Sequence, residues 1–327
     1  MIEKQDIQEI LSHYALTFEQ ITNHYDTSHG ENDQRHHYIL DDKYVLKVNS
    51  VNVMWEERLQ EISRLIGRYR SIGIYAPALI PTLAETFSYQ WKDYICYVEE
   101  FAIYPIYREG MDYDRREVVE HLGLLAARYT GVDLSETRSM WSIIDLAPLD
   151  GDVDEKQENA DALVTALKQS GYTELAEKVK QVNYEIRQQI MTVFDQLPRC
   201  VYQGDLNSTN ELYHDGHFAG LIDFNLSGTD VNINVFVNET NCFVEEEEID
   251  RTPVEEIIKK MDAEQQKLLD VIWKHYTLNK AEEFALPYYQ KITDLFQYPN
   301  VCSMVKWLGE EERREKCSQL IEYLFHS

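Results

Sequence analysis

The chain has 327 residues, of which 31 are lysine or arginine and 58 are aspartate or glutamate, so its formal net charge is −27. Such a charge repels the phosphates of nucleic acids and anionic membrane surfaces, so we expect neither as a partner, and it favours cationic ligands. A hydrophobic fraction of 44% supplies a packed core, which excludes a wholly disordered chain, and the length suits two domains or one two-lobed enzyme.

The cysteines and the N-terminus indicate where the protein works. Five cysteines are widely spaced without a Cys-x-x-Cys pair, which is typical of reduced thiols in a cytosolic protein. The N-terminus is charged and no apolar stretch approaches the roughly 18 residues that span a bilayer. We therefore expect a cytoplasmic protein without a secretion signal or membrane anchor. The oligomeric state is left open.

The first hundred residues mix helical and β-prone patterns. Apolar residues repeat at helical spacing over residues 7–14 and 55–66. A polar stretch over residues 25–33 predicts a turn. Short runs rich in aromatic and β-branched residues predict strands; these runs are residues 37–40, 44–48, 86–89 and 94–98. Together the patterns predict an antiparallel sheet with one prominent helix.

Beyond residue 101 helical periodicity dominates, with one β-like interruption. Helices are predicted over residues 114–129, 156–170 and 172–196, and again from about residue 252. Short β-like runs cover residues 200–202, 211–213 and 218–222, the last two joined by a turn at residues 214–217. Pro287 predicts a helix break and residues 298–300 a loop. The change of pattern predicts two domains, residues 1–101 and 102–327.

The strongest chemical signal lies in residues 204–210 and 221–224. Asp205 is followed five residues later by Asn210, and Asp223 stands at the end of a nearby predicted strand. Carboxylate and amide oxygens arranged in this way suit Mg²⁺, which also keeps waters and binds substrate phosphates. Phosphoryl transfer needs such a site, together with a carboxylate that orients the attacking hydroxyl.

These motifs resemble the catalytic segment of the aminoglycoside phosphotransferase and choline kinase-like family. The resemblance rests on residues 201–212, which read Val-Tyr-Gln-Gly-Asp-Leu-Asn-Ser-Thr-Asn-Glu-Leu, and on residues 220–224, Gly-Leu-Ile-Asp-Phe. It implies an α+β, bilobal protein-kinase-like fold: an N-terminal nucleotide-binding lobe with an antiparallel sheet plus a helix, and a larger, mainly helical C-terminal lobe with the catalytic loop and substrate site.

The resemblance also implies an activity and a role for each motif residue. Asp205 would be the catalytic base, and Asn210 and Asp223 would be the Mg²⁺ ligands. ATP or GTP would be the co-substrate. The enzyme would be a kinase that moves the γ-phosphoryl group to a hydroxyl of a small cationic, aminoglycoside-like molecule.

The resemblance places the nucleotide-contacting residues in the first hundred positions. Lys47 would be the strand lysine that pairs with the α and β phosphates. A buried lysine needs an anionic partner, and Glu61 on the following helix matches the family's helix glutamate. Glu57, one turn away on roughly the same face, is the alternative.

The adenine pocket follows only from the same resemblance. Val45 would cover the ring, Leu212 and Ile222 would lie beneath it, and backbone groups from Glu99 to Phe101 would read its edge. Each of these residues is equally compatible with ordinary core packing.

Two departures from the family pattern leave a second function open. Gln203 stands where the family has histidine before Gly-Asp, and residues 228–234 lack the usual acidic motif after Asp223. A catalytically silent kinase-like nucleotide-binding or regulatory protein is therefore the alternative to an enzyme. A protein kinase is a third option, although Asn207 replaces the lysine that those enzymes typically carry two residues after the aspartate. Fold and motif do not select among acceptors such as aminoglycosides, choline, homoserine and methylthioribose.

Overall fold

The computed structural model describes residues 2–30, 32–144 and 154–325. Its strands are β1 (Ile21–Asp26), β2 (Arg35–Leu40), β3 (Tyr44–Ser50), β4 (Leu79–Ile80), β5 (Tyr89–Trp91), β6 (Tyr94–Glu100), β7 (Arg199–Tyr202), β8 (Glu211–His214), β9 (His217–Leu221) and β10 (Gly228–Val231). Its helices are α1 (Lys4–Ser12), α2 (Glu56–Ser71), α3 (Arg115–Tyr129), α4 (Glu155–Gln169), α5 (Thr173–Met191), α6 (Asn232–Thr240), α7 (Glu246–Arg251), α8 (Val254–Trp273), α9 (Lys280–Phe296), α10 (Tyr298–Gly309) and α11 (Glu311–Leu324). The predicted α+β class is confirmed.

Two compact units divide the chain. The first comprises Met1–Tyr113 and Asp205–Asn225, and the second comprises Asp114–Gly204 and Leu226–Ser327. Residues 205–225, which carry the oxygen-rich motif, thus cluster with the first unit. The division into residues 1–101 and 102–327 stays a prediction, and the observed units differ from it over this segment and over residues 102–113.

The first unit is built on a six-stranded antiparallel sheet. Its order is β1-β2-β3-β6-β4, and β5 also pairs with β6. Because successive side chains of a strand point to opposite faces, Leu46 and Val48 face the apolar core that also contains Ile7 and Ile10 of α1. Lys47, between them, therefore lies on the opposite face of the sheet.

Strands β2 and β3 match two predicted runs and are joined by a turn, whereas β1 was missed. Asp41 and Asp42 have φ values of 53° and 52°, and they are the central residues of a turn in which the Lys43 N–H donates to the Leu40 carbonyl over 2.9 Å. β1 carries polar residues and is largely exposed at the sheet edge. Its sequence has no clear apolar alternation, so only pairing with β2 makes it a strand.

The predicted helix over residues 55–66 is present but longer. α2 begins after Trp55 and continues to Ser71, with Gly67 inside it. It ends before Gly73, whose φ of 89° suits glycine.

The second unit is mainly helical, and two predictions about it were wrong. Pro287 lies inside α9, where the buried Ala285 and Tyr289 flank it, so tertiary packing outweighs the local cost of proline. Residues 298–300 begin α10, where proline in the first turn loses no helical hydrogen bond. In the described part of the chain, no helix combines the length and apolar character needed to cross a membrane.

Candidate active site

The hairpin formed by β8 and β9 brings the two motifs together. Asn210 directly precedes β8 and Ile222 directly follows β9, and the Ile222 N–H donates to the Asn210 carbonyl over 2.9 Å. The hairpin closes through Asp215 and Gly216, whose φ values are 50° and 82°. This register places Asp223, the next residue, beside Asn210.

The Asp205 carboxylate is held at both oxygens. Asn210 Nδ2 donates to Asp205 Oδ2 over 2.8 Å, and Asn207 Nδ2 donates to Asp205 Oδ1 over 2.7 Å. Burial raises the pKa of Asp205, the two amides oppose that shift, and the nearby Asp223 adds to it. The result is an oriented, half-buried carboxylate that is more basic than an ordinary aspartate, as a proton acceptor requires.

Gly204, the residue before Asp205, cannot carry a side chain. Its φ is 83°, and a Cβ would lie 2.2 Å from the Leu226 carbonyl oxygen. The Trp141 indole N–H donates to the Gly204 carbonyl over 2.5 Å. Trp141 is a positioning residue that the sequence analysis missed, because 63 residues separate it from its partner.

Residues 228–234, which depart from the family pattern, also contact Trp141. Asn234 Nδ2 donates to the Trp141 carbonyl over 3.0 Å and to Asp230 Oδ2 over 3.0 Å. Burial raises the pKa of Asp230 to about 6, against the hydrogen bond from Asn234. A buried polar network therefore leads from α6 to Gly204.

Asp223 has a left-handed backbone and is followed by an anchored residue. Its φ is 55°, a conformation that non-glycine residues seldom adopt outside constrained sites. Two residues later, Asn225 accepts hydrogen bonds from Arg58 Nη2 at its carbonyl over 3.1 Å and from the Tyr97 hydroxyl at Oδ1 over 3.0 Å. Arg58, Tyr97 and Asn225 had no motif to reveal them.

Lys47 lies among carboxylates on the polar face of the sheet. Its Nζ is 3.2 Å from Glu99 Oε1 and 3.8 Å from Asp223 Oδ1, and its side chain is 5% exposed. Burial alone lowers the pKa of a lysine, but Glu99, Tyr97 and Asp223 outweigh it and hold the pKa of Lys47 above its ordinary value. The ammonium is therefore charged at neutral pH.

The partner of Lys47 differs from the predicted one. Glu61 lies on α2 with its Oε2 3.4 Å from Arg58 Nη1, and the carboxylate beside Lys47 belongs to Glu99. Tyr97 stands directly opposite Lys47 in the β3–β6 register, so Glu99, two residues on, emerges on the same face. The predicted Lys47–Glu61 pair is thus corrected to Lys47–Glu99, and the alternative, Glu57, is exposed.

The residues predicted to surround adenine all lie in the first unit. Val45 stands opposite Glu99 in the sheet, Leu212 is fully buried in β8, and Ile222 is partly buried. The Phe101 N–H donates to the Lys43 carbonyl over 2.8 Å. This hydrogen bond uses one of the backbone groups that were predicted to contact the edge of adenine. Contact of these residues with adenine stays a prediction.

The donor set around Asp223 suits a small divalent cation held partly by phosphates. No group of three or more His, Cys, Asp or Glu side chains forms a metal site within the described ranges. Asn210 Nδ2 donates to both the backbone carbonyl and Oδ2 of Asp205, so Oδ1 is the Asn210 atom suited to ligate a cation. One carboxylate and one amide oxygen fit Mg²⁺, which takes few protein ligands when it also binds phosphate.

A known family matches the segment that contains these residues. The model of the phosphotransferase enzyme family, APH, matches residues 28–231. The chain belongs to this family. The match spans Lys47, Glu61, Asp205, Asn210 and Asp223, whose individual roles stay predictions. The chain is accordingly an enzyme of the phosphotransferase class.

Solved phosphotransferase structures share the fold at low sequence identity. An amicoumacin kinase is 13% identical with a TM-score of 0.55, and the alignment covers 99% of this chain and 94% of that one. An aminoglycoside phosphotransferase from Alicyclobacillus acidocaldarius is 12% identical with a TM-score of 0.51, covering 98% and 96%. A microcompartment-associated aminopropanol kinase is 14% identical with a TM-score of 0.50, covering 98% and 94%. A search of curated proteins finds no match. The protein-kinase-like fold implied by the motifs is confirmed.

Proposed function

We propose that this phosphotransferase is a kinase that transfers the γ-phosphoryl group of ATP, or GTP, to a hydroxyl of a small cationic, aminoglycoside-like molecule. One observation carries the proposal. Asp205 is oriented by Asn210 over 2.8 Å, while Asp223 lies 3.8 Å from the buried Lys47. The residues proposed as the base, the metal ligands and the phosphate-binding lysine thus all belong to the first unit.

Each residue has a distinct task in the proposed reaction. The acceptor oxygen attacks the γ phosphorus, the bond from that phosphorus to the β–γ bridging oxygen breaks, and the acceptor proton passes to Asp205. Asn210 Oδ1 and Asp223 would hold Mg²⁺, which, when bound, neutralises charge on the phosphate oxygens. Lys47 would bind the phosphates that are not transferred, and its buried ammonium charge favours them.

The acceptor class is supported by charge and by the relatives. A net charge of −27 attracts cations to the protein. The aminopropanol kinase and the amicoumacin kinase share the fold, and the latter was solved with AMP-PNP, Ca²⁺ and Ami. Small amine-containing alcohols are therefore the first acceptors to test.

The test begins with nucleotide binding and continues with a panel of acceptors. Saturating Mg·ATP or Mg·GTP should raise the melting temperature, because a ligand that binds only the folded protein stabilises it. Aminoglycosides, choline and amino alcohols are then screened for phosphorylated product by mass spectrometry.

Asp205→Asn supplies the decisive variant. We expect turnover to fall about 10²- to 10⁴-fold while nucleotide affinity changes little, because the base acts mainly in the transition state. Asp215→Asn, in the exposed hairpin turn, is the matched control and should behave as wild type. Near-normal turnover in Asp205→Asn would exclude the assignment, and a wild-type protein that binds Mg·ATP but phosphorylates no acceptor would favour the silent alternative.

A further inference from the structure

Resting on the proposed function, we infer that Glu99, on strand β6, is the positioning residue that orients Lys47 toward the nucleotide phosphates. In this chain the strand carboxylate takes the task that the motif resemblance gave to the helix carboxylate Glu61. The inference concerns the Glu99 side chain, whereas the predicted contact with adenine involved only the backbone there.

The register of the sheet directs Glu99 to Lys47. Tyr97 lies opposite Lys47 and Val45 opposite Glu99, so Lys47 and Glu99 are diagonal neighbours on one face. Their side chains are 5% and 16% exposed, and the Nζ–Oε1 distance is 3.2 Å. A strand pair of this kind has little freedom, because both backbones belong to the same hydrogen-bonded ladder.

The carboxylate of Glu61, on α2, contacts an arginine rather than Lys47. Glu61 lies 3.4 Å from Arg58, which is 3% exposed at its side chain, and Arg58 in turn donates to the Asn225 carbonyl over 3.1 Å. Loss of Glu61 would therefore disturb the backbone after Asp223 rather than leave Lys47 without its nearest carboxylate. The two acids support two different parts of the site.

Glu99 also keeps the Lys47 ammonium from pairing fully with Asp223. Lys47 has Glu99 at 3.2 Å and Asp223 at 3.8 Å, so an ammonium without Glu99 has one carboxylate left beside it. It would then move toward Asp223 and compete with a cation for the same oxygen atoms. Removing the Glu99 charge should consequently weaken phosphate binding and raise the Mg²⁺ concentration that nucleotide binding requires.

The experiment measures Mg·ATP binding by calorimetry over a series of free Mg²⁺ concentrations. The variants are Glu99→Gln, Glu99→Asp and Glu61→Gln, with Glu9→Gln as an exposed control in the same unit. For Glu99→Gln we expect Mg·ATP affinity to fall about 10- to 100-fold, since a charge-assisted contact is misdirected, and the half-saturating Mg²⁺ concentration to rise. Glu99→Asp should recover part of both losses, and Glu9→Gln should match wild type.

The outcomes separate this inference from the proposed function. If wild type binds neither Mg·ATP nor Mg·GTP, the proposed function fails and the inference falls with it. If wild type binds and Glu99→Gln retains its affinity and Mg²⁺ dependence, only the inference is wrong. A Mg²⁺ shift in Glu61→Gln larger than in Glu99→Gln would also overturn it. If Glu99→Gln fails to fold, Glu99→Asp decides the question. An affinity for Mg·ATP and a Mg²⁺ dependence equal to those of wild type would then overturn the role of Glu99, because the shorter side chain holds its carboxylate farther from Lys47.

Discussion

Two buried lysines, one in each unit, differ in what surrounds their charge. Lys47 and Lys156 are 4% and 5% exposed. Lys47 has the carboxylates of Glu99 and Asp223 within 4 Å. Lys156 donates to the amide oxygen of Asn238 over 2.9 Å. Burial lowers the pKa of Lys156 to about 8, which nearby acids offset only in part, whereas the pKa of Lys47 is raised.

The different partners of the two lysines indicate which of them has a functional role. Desolvation penalises both ammonium groups, and at Lys47 two close carboxylates together with Tyr97 reverse the penalty. A second carboxylate is more than Lys47 needs for its own neutralisation, and in the proposed function the excess negative charge at Asp223 is available for Mg²⁺. Lys156 has an amide partner and fits a role in packing the second unit.

The largest effect is expected from Lys47→Met. Phosphoryl transfer to the acceptor identified in the panel should fall about 10³-fold, because a preorganised charge on the phosphates is lost. The stabilisation by Mg·ATP should fall with it. Activity assays and melting curves check both. Lys156→Met provides the comparison, and an equal loss in the two variants would contradict the functional distinction between the lysines.

Arg58 is another buried cation. The variant Arg58→Lys tests whether the two contacts of its guanidinium are needed. The guanidinium contacts both Glu61 and the Asn225 carbonyl, which a single ammonium group cannot reproduce in the same geometry. We expect Mg·ATP affinity to fall about 10-fold through the backbone next to Asp223. Calorimetry measures this, with the exposed Arg64→Lys on the same helix as control. Unchanged affinity would mean that the Asn225 carbonyl needs no anchor.

Lys156→Met should preserve activity and leave stability equal or higher by about 1 kcal/mol. Replacing a poorly compensated buried charge by an apolar chain is often neutral or stabilising. Asn238 Oδ1 also accepts from Thr293 Oγ1 over 3.1 Å, so it keeps a partner in the variant. Denaturant unfolding at neutral pH provides the measurement. A loss of several kcal/mol would show that the Lys156 charge is structurally needed.

The smallest effect is a difference in pH dependence between wild type and Lys156→Met. The pKa of Lys156 is about 8 in the folded protein against an ordinary lysine value of 10.5, so between these values the unfolded chain binds more protons. Wild-type stability should therefore gain from this group as pH rises through that window, by at most about 1.4 kcal/mol per pH unit. The advantage of Lys156→Met should shrink accordingly. A constant difference across the window would contradict the depressed pKa.

Residues near one another in the chain made much of the site predictable. Asp205 and Asn210 are five positions apart, and Asp223 follows a hairpin whose turn residues are visible in the sequence. The β2–β3 hairpin, with Lys47 at its centre, has the same local origin. The exposed strand β1 and the helix through Pro287 were not predictable in this way, because pairing and packing with distant residues override weak local preferences.

The sequence by itself determined the motif, the family resemblance and the alternation that puts Lys47 on the polar face of its strand. Only the tertiary structure decided which acid meets that lysine. Glu61 and Glu99 are both candidate partners in the sequence. In the structure Glu61 contacts Arg58, three residues earlier on the same helix, and the β3–β6 register places Glu99 beside Lys47. Helix rotation and strand register are set by the burial of apolar faces along whole elements, a sum over many residues that no short motif contains.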